Sequence, residues 1–410
     1  VWIHDTGERG LGVEETYAPS SLVLLDSLIE EARLIGLFAG GSPMSVERSV
    51  IRNVRPKDEQ VLAFGLLATP YCPGGICDAS RPGLIHLERS RVHGAVGIGA
   101  YVFRGQIEMV ESVVSQTLTR LDGPHGRGIS AEPLCVDSDD CSEQIRPRLS
   151  LVDSEVAHNH DYGIAALGTD VSLLGTTVRD TARRGLDWLF GHGIGLLAPC
   201  VSSGCDVDYP TVATIERSTV LRSHGVGVGI DSSTANIVGT VVSDTMTTEG
   251  KHGRGINAQS ACDGTGFCYA DHPSHVTVDT SLVELSHELG VSVFGGHVAM
   301  SRSIVRDTFP TPGKALFGDG ISVVSLDAPS SLDLQDVRVL RSTRAGVSVF
   351  GAAAGLARNQ ISCSAFDLTM QNNDVGPAYL GDLGDNLCGC PHADEGCVAI
   401  NAELEPPLPR

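Results

Sequence analysis

A small polar residue followed two positions later by a β-branched aliphatic one recurs along the chain, and this recurrence constrains the fold more than any other feature. An aliphatic residue or methionine usually stands three positions before each such anchor, and mostly a small polar residue stands five positions after it. Anchors 22 residues apart alternate with anchors that are mostly 41 or 42 residues apart. The thirteen anchor positions, two of them valine, are Val1, Ser27, Ser49, Ser90, Ser112, Ser154, Thr176, Ser218, Thr240, Ser281, Ser303, Val337 and Asn359.

The 22-residue interval predicts a coil of three short strands joined by bends. No 3.6-residue periodicity runs through the repeat, which excludes a helical unit. When such coils stack, each strand pairs with the same strand of the next coil, and three parallel sheets form. The valines and isoleucines are then expected to stack inside, while Ser, Thr and Asn bond the backbone at the bends. Glycine is expected to supply positive φ where the chain turns.

Composition agrees with many short strands and limits the possible partners. The chain has 48 glycines and 5% aromatic residues, as expected for strands and tight turns. A formal net charge of −21 disfavours nucleic acid, and disfavours a polyanionic sugar unless Ca²⁺ bridges the two. Twelve cysteines predict an extracellular or cell-surface location. The sequence shows neither a membrane-spanning apolar run nor a signal peptide, so Val1 is expected to begin a mature chain or a fragment.

The repeat resembles that of the right-handed parallel β-helix proteins of the pectate-lyase-like superfamily, with Ser and Thr in place of many Asn. The resemblance covers nearly all of residues 1–380. It implies an all-β, single-stranded right-handed parallel β-helix of about 13 coils, in which bare 22-residue coils alternate with coils that carry loops. At a strand spacing of ~4.8 Å this solenoid would be about 60 Å long. Residues 381–410 are expected to form a Cys-rich C-terminal cap and tail.

Cysteines recur in the loops of the long coils and again near the C-terminus. We expect a small disulfide within each loop, since a loop without its own core gains from a cross-link. Pairs between neighbouring loops are the alternative, and no regular metal site is expected. In the tail, two further disulfides are expected, and the alternative is a zinc site that would include His392. The cysteines are Cys72, Cys77, Cys135, Cys141, Cys200, Cys205, Cys262 and Cys268 in the loops, and Cys363, Cys388, Cys390 and Cys397 in the tail.

One loop contains the candidate catalytic and sugar-binding residues. Its Gly-His-Gly at 191–193 resembles a motif of polygalacturonase-type glycoside hydrolases, although their Asn-Thr-Asp and Arg-Ile-Lys motifs are absent. If the chain is an enzyme, Asp180, Arg183 and His192 are the residues expected to act. Trp188 and Phe190 either stack on a sugar ring or fold down over the sheet edge.

A row of carboxylates four positions after the anchors is the second candidate site. It includes Asp180, Asp244 and Asp307, and the pattern predicts that the row points outward. Its simplest role is a solvated acidic stripe that discourages lateral aggregation. The functional alternative is weak Ca²⁺ binding together with loop carboxylates. No other cofactor is expected.

The regularity of the repeat favours a binding role. The copies stay alike to the end, so no coil stands out as an active site. We therefore predict a secreted or cell-surface, non-catalytic module that presents two rows of loops to a polysaccharide or a surface protein. One alternative is a polysaccharide lyase or glycoside hydrolase with a site beside the long loops. Another is a self-assembling structural subunit that associates end to end, because the first coil shows no cap.

Overall fold

The chain is wound into stacked coils, each of which contributes one short strand to each of three sheets. The computed structural model describes residues 1–15, 20–58, 61–72, 77–78, 80–119, 125–133, 146–184, 190–201, 204–205, 207–248, 252–262, 269–313, 316–390 and 395–409. Along the chain the strands enter sheets A, B and C in turn, and nearly all neighbouring strands in these sheets are parallel. The fold is the single-stranded parallel β-helix that the repeat predicts.

The strand bounds follow the repeat. Sheet A consists of Trp2–His4, Leu28–Glu30, Val50–Arg52, Arg91–His93, Val113–Ser115, Glu155–Ala157, Thr177–Arg179, Thr219–Leu221, Val241–Ser243, Leu282–Glu284, Ile304–Thr308, Arg338–Ser342, Gln360–Ser362, Leu387–Cys388 and Glu395–Gly396. Sheet B consists of Arg9–Glu14, Ile35–Gly40, Ala63–Thr69, Gly97–Phe103, Arg127–Glu132, Tyr162–Leu167, His192–Leu197, Val226–Asp231, Arg254–Gln259, Leu289–Phe294, Asp319–Val324, Ala345–Phe350 and Phe366–Gln371. Sheet C consists of Leu22–Leu25, Pro43–Glu47, Leu84–Glu88, Gln106–Val110, Arg148–Val152, Asp170–Leu174, Val212–Glu216, Thr234–Val238, Ser274–Asp279, Gly296–Ser301, Ser331–Gln335, Ala353–Ala357 and Tyr379–Asp382.

We number the coils 1 to 13 by their sheet B strands. A small antiparallel hairpin of Cys200–Val201 with Gly204–Cys205 lies outside the three sheets. Within the described ranges the chain forms no helix, and therefore none that is long and apolar enough to cross a membrane.

Rows of aliphatic side chains fill the interior, as predicted. In sheet A, Val220 is aligned with Val178 of the preceding coil and with Val242 of the following one. Each of these side chains is 1% exposed. Sheets B and C contribute equivalent rows of Ile, Leu, Val and Ala to the same core. Each coil therefore buries its apolar side chains mainly against equivalent side chains of its neighbours, and only a stack of coils has a core.

The polar anchors form a second continuous row, which hydrogen-bonds from coil to coil. The backbone N–H of Ser49 donates to Oγ of Ser90 (3.0 Å), and the N–H of Ser90 donates to Oγ of Ser112 (3.0 Å). Ser90 Oγ also donates to the carbonyl of Glu88, two residues earlier (2.9 Å). The anchors thus satisfy backbone groups that a bend would leave unpaired. Val337 interrupts the row, since its side chain has no acceptor.

Positive φ at the bends is mostly carried by residues other than glycine. The residue before each anchor from Ser27 onward, and the residue four after every anchor, have φ between 45° and 68°. The expectation that glycine supplies these turns holds only at Gly94, Gly175 and Gly239. The glycines repeated in sheet B serve close approach instead. A Cβ on Gly227 would lie 2.6 Å from the carbonyl oxygen of Gly255, which belongs to the next coil.

The coil pattern continues beyond residue 380. Asn386 stands at a further anchor position, where its Oδ1 accepts the N–H of Asn359 (2.9 Å). Cys388, two residues later, is buried and extends sheet A. The disulfides Cys363–Cys390 and Cys388–Cys397 cross-link this region. Residues 400–409, called the return segment below, then run back along sheet B.

Candidate functional site: a groove on sheet B

The outward face of sheet B varies from coil to coil, in contrast to the uniform interior. Its central outward row changes from large apolar side chains near one end to glycine, amide and hydroxyl residues towards the other. From coil 1 to coil 13 this row consists of Gly12, Phe38, Leu67, Tyr101, Ser130, Ala165, Gly195, Gly229, Asn257, Ser292, Ser322, Ser348 and Thr369. Residues that recognise a particular ligand are therefore expected on this face and not in the uniform interior.

A cavity of about 520 Å³ lies over coils 6 to 9 of this face. Its walls combine apolar side chains with one carboxylate, one amide and two imidazoles. The lining residues are Leu167, Phe190, His192, Leu197, Ala198, Asp231, His252, Gln259, Ala261 and Cys262. Neither Lys nor Arg is among these described lining residues, so they offer hydrogen-bonding groups without a permanent cation.

Three rings pack together at one side of the cavity. His192, which is 2% exposed, meets Tyr162 and Phe190 edge to face, with ring centroids 5.0 and 5.5 Å away. The Arg184 guanidinium lies 4.4 Å from the centroid of the Phe190 ring, on which it stacks. Phe190 therefore combines features of both roles expected from the sequence, since it covers the sheet and also lines the cavity.

A charged cluster on coil 5 adjoins these rings. Arg127 Nε donates to Asp161 (3.0 Å), and its Nη1 donates to Glu132 (2.7 Å). Burial alone would lower the pKa of Arg127, but the two carboxylates outweigh burial and raise that pKa. Burial, with Arg127 as the next cause, lowers the pKa of the nearby His125 imidazole. Arg127 is thus a fixed cation whose charge is neutralised locally.

A second cluster, on coil 9, is buried more deeply. Arg254 Nη2 donates to Oε1 of Glu288 (3.1 Å), and Nη1 donates to Oδ1 of Asn257 (2.9 Å). The side chains of Arg254 and Glu288 are 1% and 6% exposed. The guanidinium also lies 4.8 Å from the centroid of the Phe294 ring. Arg254 Nε and Glu288 Oε2 are buried without a hydrogen-bond partner among the described residues, so the pair is only partly satisfied by its surroundings.

The return segment occupies the groove beyond Arg254. Its carbonyl oxygen at Leu408 accepts a hydrogen bond from Arg254 Nη2 (2.5 Å) on coil 9. Its carbonyl oxygen at Glu405 accepts one from Arg344 Nη1 (2.9 Å). Side chains near the groove therefore already bind the main-chain oxygens of an extended chain.

Among the described residues, the structure does not bring the three proposed catalytic residues into one site. His192 lines the cavity, whereas Asp180 does not. The Asp180 carboxylate accepts hydrogen bonds from Arg222 (2.6 and 3.0 Å) and from Arg179 (2.5 Å). Arg183 follows near the loop base, where its backbone nitrogen would lie 3.2 Å from a Cβ on Gly191.

The predicted carboxylate row consists partly of ion pairs between bends. Asp307 accepts hydrogen bonds from Arg341 of the next coil (2.6 and 2.8 Å), as Asp180 does from Arg222. The hydrogen bond to Asp180 is the main cause that raises the pKa of the Arg222 guanidinium. Burial opposes that rise, and the nearby Asp244 carboxylate adds to it. In the described part of the chain, no group of three His, Cys, Asp or Glu side chains is placed to hold a metal ion. Calcium binding stays a prediction.

The cysteines are paired to the extent that the structure describes them. Cys72 and Cys77 form a disulfide within one loop, and Cys262 is also disulfide-bonded. Cys200 and Cys205 are opposite each other in the small hairpin. The four tail cysteines form two disulfides, in place of the zinc site that was the alternative. The predictions for Cys135, Cys141, Cys268 and Trp188 lie outside the described residues.

The Asp180–Arg222 pair predicts a pH-dependent contribution to stability. The hydrogen bond from Arg222 is the main cause that holds the pKa of Asp180 at about 2, below its usual 3.8. A depressed carboxyl pKa adds stability above the unfolded-state pKa, and this stability disappears as pH falls towards 2. We expect Arg222→Met to lower the free energy of unfolding by less than about 1 kcal/mol at pH 6, since the pair is partly exposed.

The measurement is thermal unfolding of both proteins between pH 6 and pH 2. The difference in melting temperature between wild type and Arg222→Met should shrink steadily below pH 4. Arg217→Met, at the other bend of the same coil, is the control, because no described carboxylate forms an ion pair with Arg217. The difference in melting temperature between wild type and Arg217→Met should therefore not shrink below pH 4 in the way expected for Arg222→Met. A pH-independent difference for Arg222→Met would contradict the prediction.

Comparison with known proteins adds only distant structural likenesses. No family model matches the chain, and no curated protein matches it. A variant of the periplasmic alginate epimerase AlgG is 12% identical, with a TM-score of 0.48 and with 91% of this chain and 79% of that chain covered. The A-module of the Azotobacter vinelandii mannuronan C-5 epimerase AlgE4 is 11% identical, with a TM-score of 0.43 and coverage of 88% and 87%. The Dettilon tailspike protein is 11% identical, with a TM-score of 0.38 and coverage of 92% and 63%.

These low TM-scores and identities carry no inference about activity, ligand or residue roles. The sheets of the chain itself are the stronger finding. Each of the three is built almost entirely from parallel strands that follow one another once per coil. The chain therefore has the single-stranded parallel β-helix fold, and no family is shown for it.

Proposed function

We propose that the groove on sheet B binds an extended, uncharged glycan, and that the protein acts outside the cell as a carbohydrate-binding β-helix. One observation carries this proposal: the cavity over coils 6 to 9 lies in line with a stretch of groove that already holds an extended chain. The disulfides support an oxidising location.

The lining of the cavity suits a sugar chain. Phe190 offers an aromatic surface against which the apolar face of a sugar ring can pack. Asp231 and Gln259 offer planar groups that can hydrogen-bond to hydroxyls. A few polar groups in a mostly apolar pocket are typical of small-ligand sites. The lack of Lys and Arg among the described lining residues favours an uncharged glycan over a uronic-acid polymer.

The state of the nearby charged residues favours binding over turnover. Arg127 is held by two carboxylates, and Arg254 is held by Glu288 and Asn257. Neither guanidinium is free to act on a substrate without breaking these bonds. The proposed site combines loop residues expected from the sequence, Phe190 and Cys262, with sheet B residues such as Leu167 and Gln259.

Substitution of Phe190 tests the site directly. We expect Phe190→Ala to weaken glycan binding about tenfold, since stacking and ring burial together contribute on the order of 1–2 kcal/mol. Isothermal titration calorimetry with neutral and uronic oligosaccharides measures the effect. Tyr379→Ala is the matched control, because Tyr379 is an exposed aromatic residue on sheet C.

Two results would contradict the proposal. One is unchanged affinity in Phe190→Ala, and the other is a preference for uronic over neutral chains. The same mixtures should be checked for newly formed chain ends. Cleavage by the wild type that is lost in His192→Ala would establish the catalytic alternative in place of the binding role.

A further inference from the structure

The return segment is anchored firmly at coil 13. Ile400 forms a parallel bridge with Thr369, in which Met370 N–H donates to the Ile400 carbonyl (2.9 Å). The Gln371 side chain donates to the Leu404 carbonyl (2.9 Å) and accepts from the Leu404 N–H (2.5 Å). A side-chain amide that bonds both main-chain groups of one residue mimics a neighbouring strand. These contacts recognise an extended backbone.

Leu404 also anchors the segment by its side chain. It packs against a cluster of buried residues on the outward face of sheet B, which includes Phe294, Val324 and Phe350. These three residues are aligned in coils 10, 11 and 12. The apolar cluster therefore continues the groove in the direction away from the cavity, and Leu404 covers part of it.

The geometry of the segment agrees with an extended chain that follows the groove. Coils 9 and 13 are four strand spacings apart, or about 19 Å. Residues 400 to 408 span at most about 26 Å when fully extended. A left-handed bend at Glu403 (φ 51°) shortens that span, so the segment has little slack. Pro406 and Pro407 fix an extended backbone there and have no N–H to satisfy.

The end of the segment beside the cavity is held more lightly. The Leu408 side chain is 69% exposed. Its main chain is held at the carbonyl oxygen, by the hydrogen bond from Arg254. A ligand that reaches coil 9 from the cavity therefore meets the least anchored part of the segment first.

We propose that the return segment occupies, within the same molecule, the second half of the glycan groove and so limits the length of glycan that the groove accepts. This inference rests on the proposed glycan binding. With the segment in place, the open groove runs over coils 6 to 9, about 14 Å. With the segment displaced, it runs over coils 6 to 13, about 34 Å.

The test compares two charged substitutions in the return segment. Leu404→Asp places a carboxylate against the apolar cluster and should release the segment. Leu408→Asp adds the same charge at an exposed side chain and should leave the segment in place. Both variants and the wild type are titrated with oligosaccharides of the best-binding type, shorter and longer than about 14 Å. Circular dichroism and thermal unfolding confirm the fold of each protein.

We expect short oligosaccharides to bind all three proteins equally. Long oligosaccharides should bind Leu404→Asp at least about tenfold more tightly than wild type, because they gain contacts on coils 10 to 13. Leu408→Asp should behave as wild type. If Leu404→Asp fails to fold, Gln371→Leu removes the two bonds to the Leu404 backbone without adding a charge and takes its place.

The outcomes separate the two proposals. Equal affinity of the wild type and the released variant for long chains overturns the inference and leaves glycan binding standing. Absence of binding by all three proteins to every oligosaccharide overturns the proposed function, and the inference falls with it. Weaker binding of long chains by Leu404→Asp would also overturn the inference, since it would make the segment part of the binding surface.

Discussion

Glu288→Ala should lower the free energy of unfolding by about 3–5 kcal/mol, a larger loss than we expect from any other single substitution proposed for this protein. The reason is the environment of Arg254, whose guanidinium is buried and bonds Glu288 at 3.1 Å. Without the carboxylate, the guanidinium keeps Asn257 and the Leu408 carbonyl as acceptors but has no negative charge beside it. A buried cation without a counter-charge is far more costly than a lost surface ion pair.

The matched control is Glu284→Ala. Glu284 pairs with Arg306, but that pair is more exposed, and its loss should cost less than about 1 kcal/mol. Urea unfolding measures both variants, and amide hydrogen exchange shows where each acts. In Glu288→Ala, protection from amide hydrogen exchange should be lost first in the sheet B strands of coils 9 to 11, because a stack of coils can open locally. Equal losses in the two variants would contradict the assigned role of the buried pair.

Asn359→Ala should destabilise the last coils by about 3 kcal/mol. Asn359 is buried, and its Oδ1 accepts the N–H of Val337 (2.9 Å). Its Nδ2 donates to the Leu334 carbonyl (3.0 Å) and to Oδ1 of Asn386 (3.0 Å). Alanine leaves the Val337 N–H and the Leu334 carbonyl without this side-chain partner, at about 1–3 kcal/mol for each orphaned group, partly offset by relaxation. Asn386 Oδ1 keeps the backbone N–H of residue 359 as its donor.

Asn359→Ser is the informative control for this position. Serine is the commonest anchor residue, and its hydroxyl accepts the N–H of the preceding anchor elsewhere in the row, as Ser90 does for Ser49. We therefore expect serine to cost less than half as much as alanine, measured by urea unfolding of both variants. If serine proved as destabilising as alanine, the polar row would contribute little through hydrogen bonding.

The fold was predictable because the repeat encodes contacts between neighbouring coils. An interval of 22 or 41 residues brings one anchor onto the next, as the bonds from Ser49 to Ser90 and from Ser90 to Ser112 show. The structure adds one anchor that the template did not include. Asn386 lies 27 residues after Asn359, outside the 22-residue spacing, and the buried Cys388 stands where the template has a β-branched aliphatic residue.

The groove was harder to predict because its residues are those that do not repeat. The interior and the bends are alike in nearly every copy, whereas the outward face of sheet B changes at almost every coil. One signal was present. Arg127 with Asp161 and Arg254 with Glu288 are both 34 residues apart, and each arginine begins a sheet B strand. A search for Arg and acidic residues that recur at one fixed separation, here 34 residues, would have found both clusters.

The return segment had no signal in the repeat. Its contacts join residues far apart in sequence, as Arg254 and Leu408 are, and its composition resembles a loop. A repeat predicts contacts that recur, and a single long-range docking event does not recur. End-to-end association and calcium binding stay predictions.

The direction of the polar row has a consequence for how such a chain can change its length. Most anchor N–H groups donate to the anchor side chain of the next coil. Removal of residues 154–217, which make two consecutive coils or one double coil, would therefore place Ser218 Oγ where Ser112 now meets Ser154. The aliphatic rows would close in the same way. Yet Tyr162, Phe190 and His192 would all be lost. The β-helix should therefore tolerate the gain or loss of whole double coils. The groove should not, because different residues from several coils together form it.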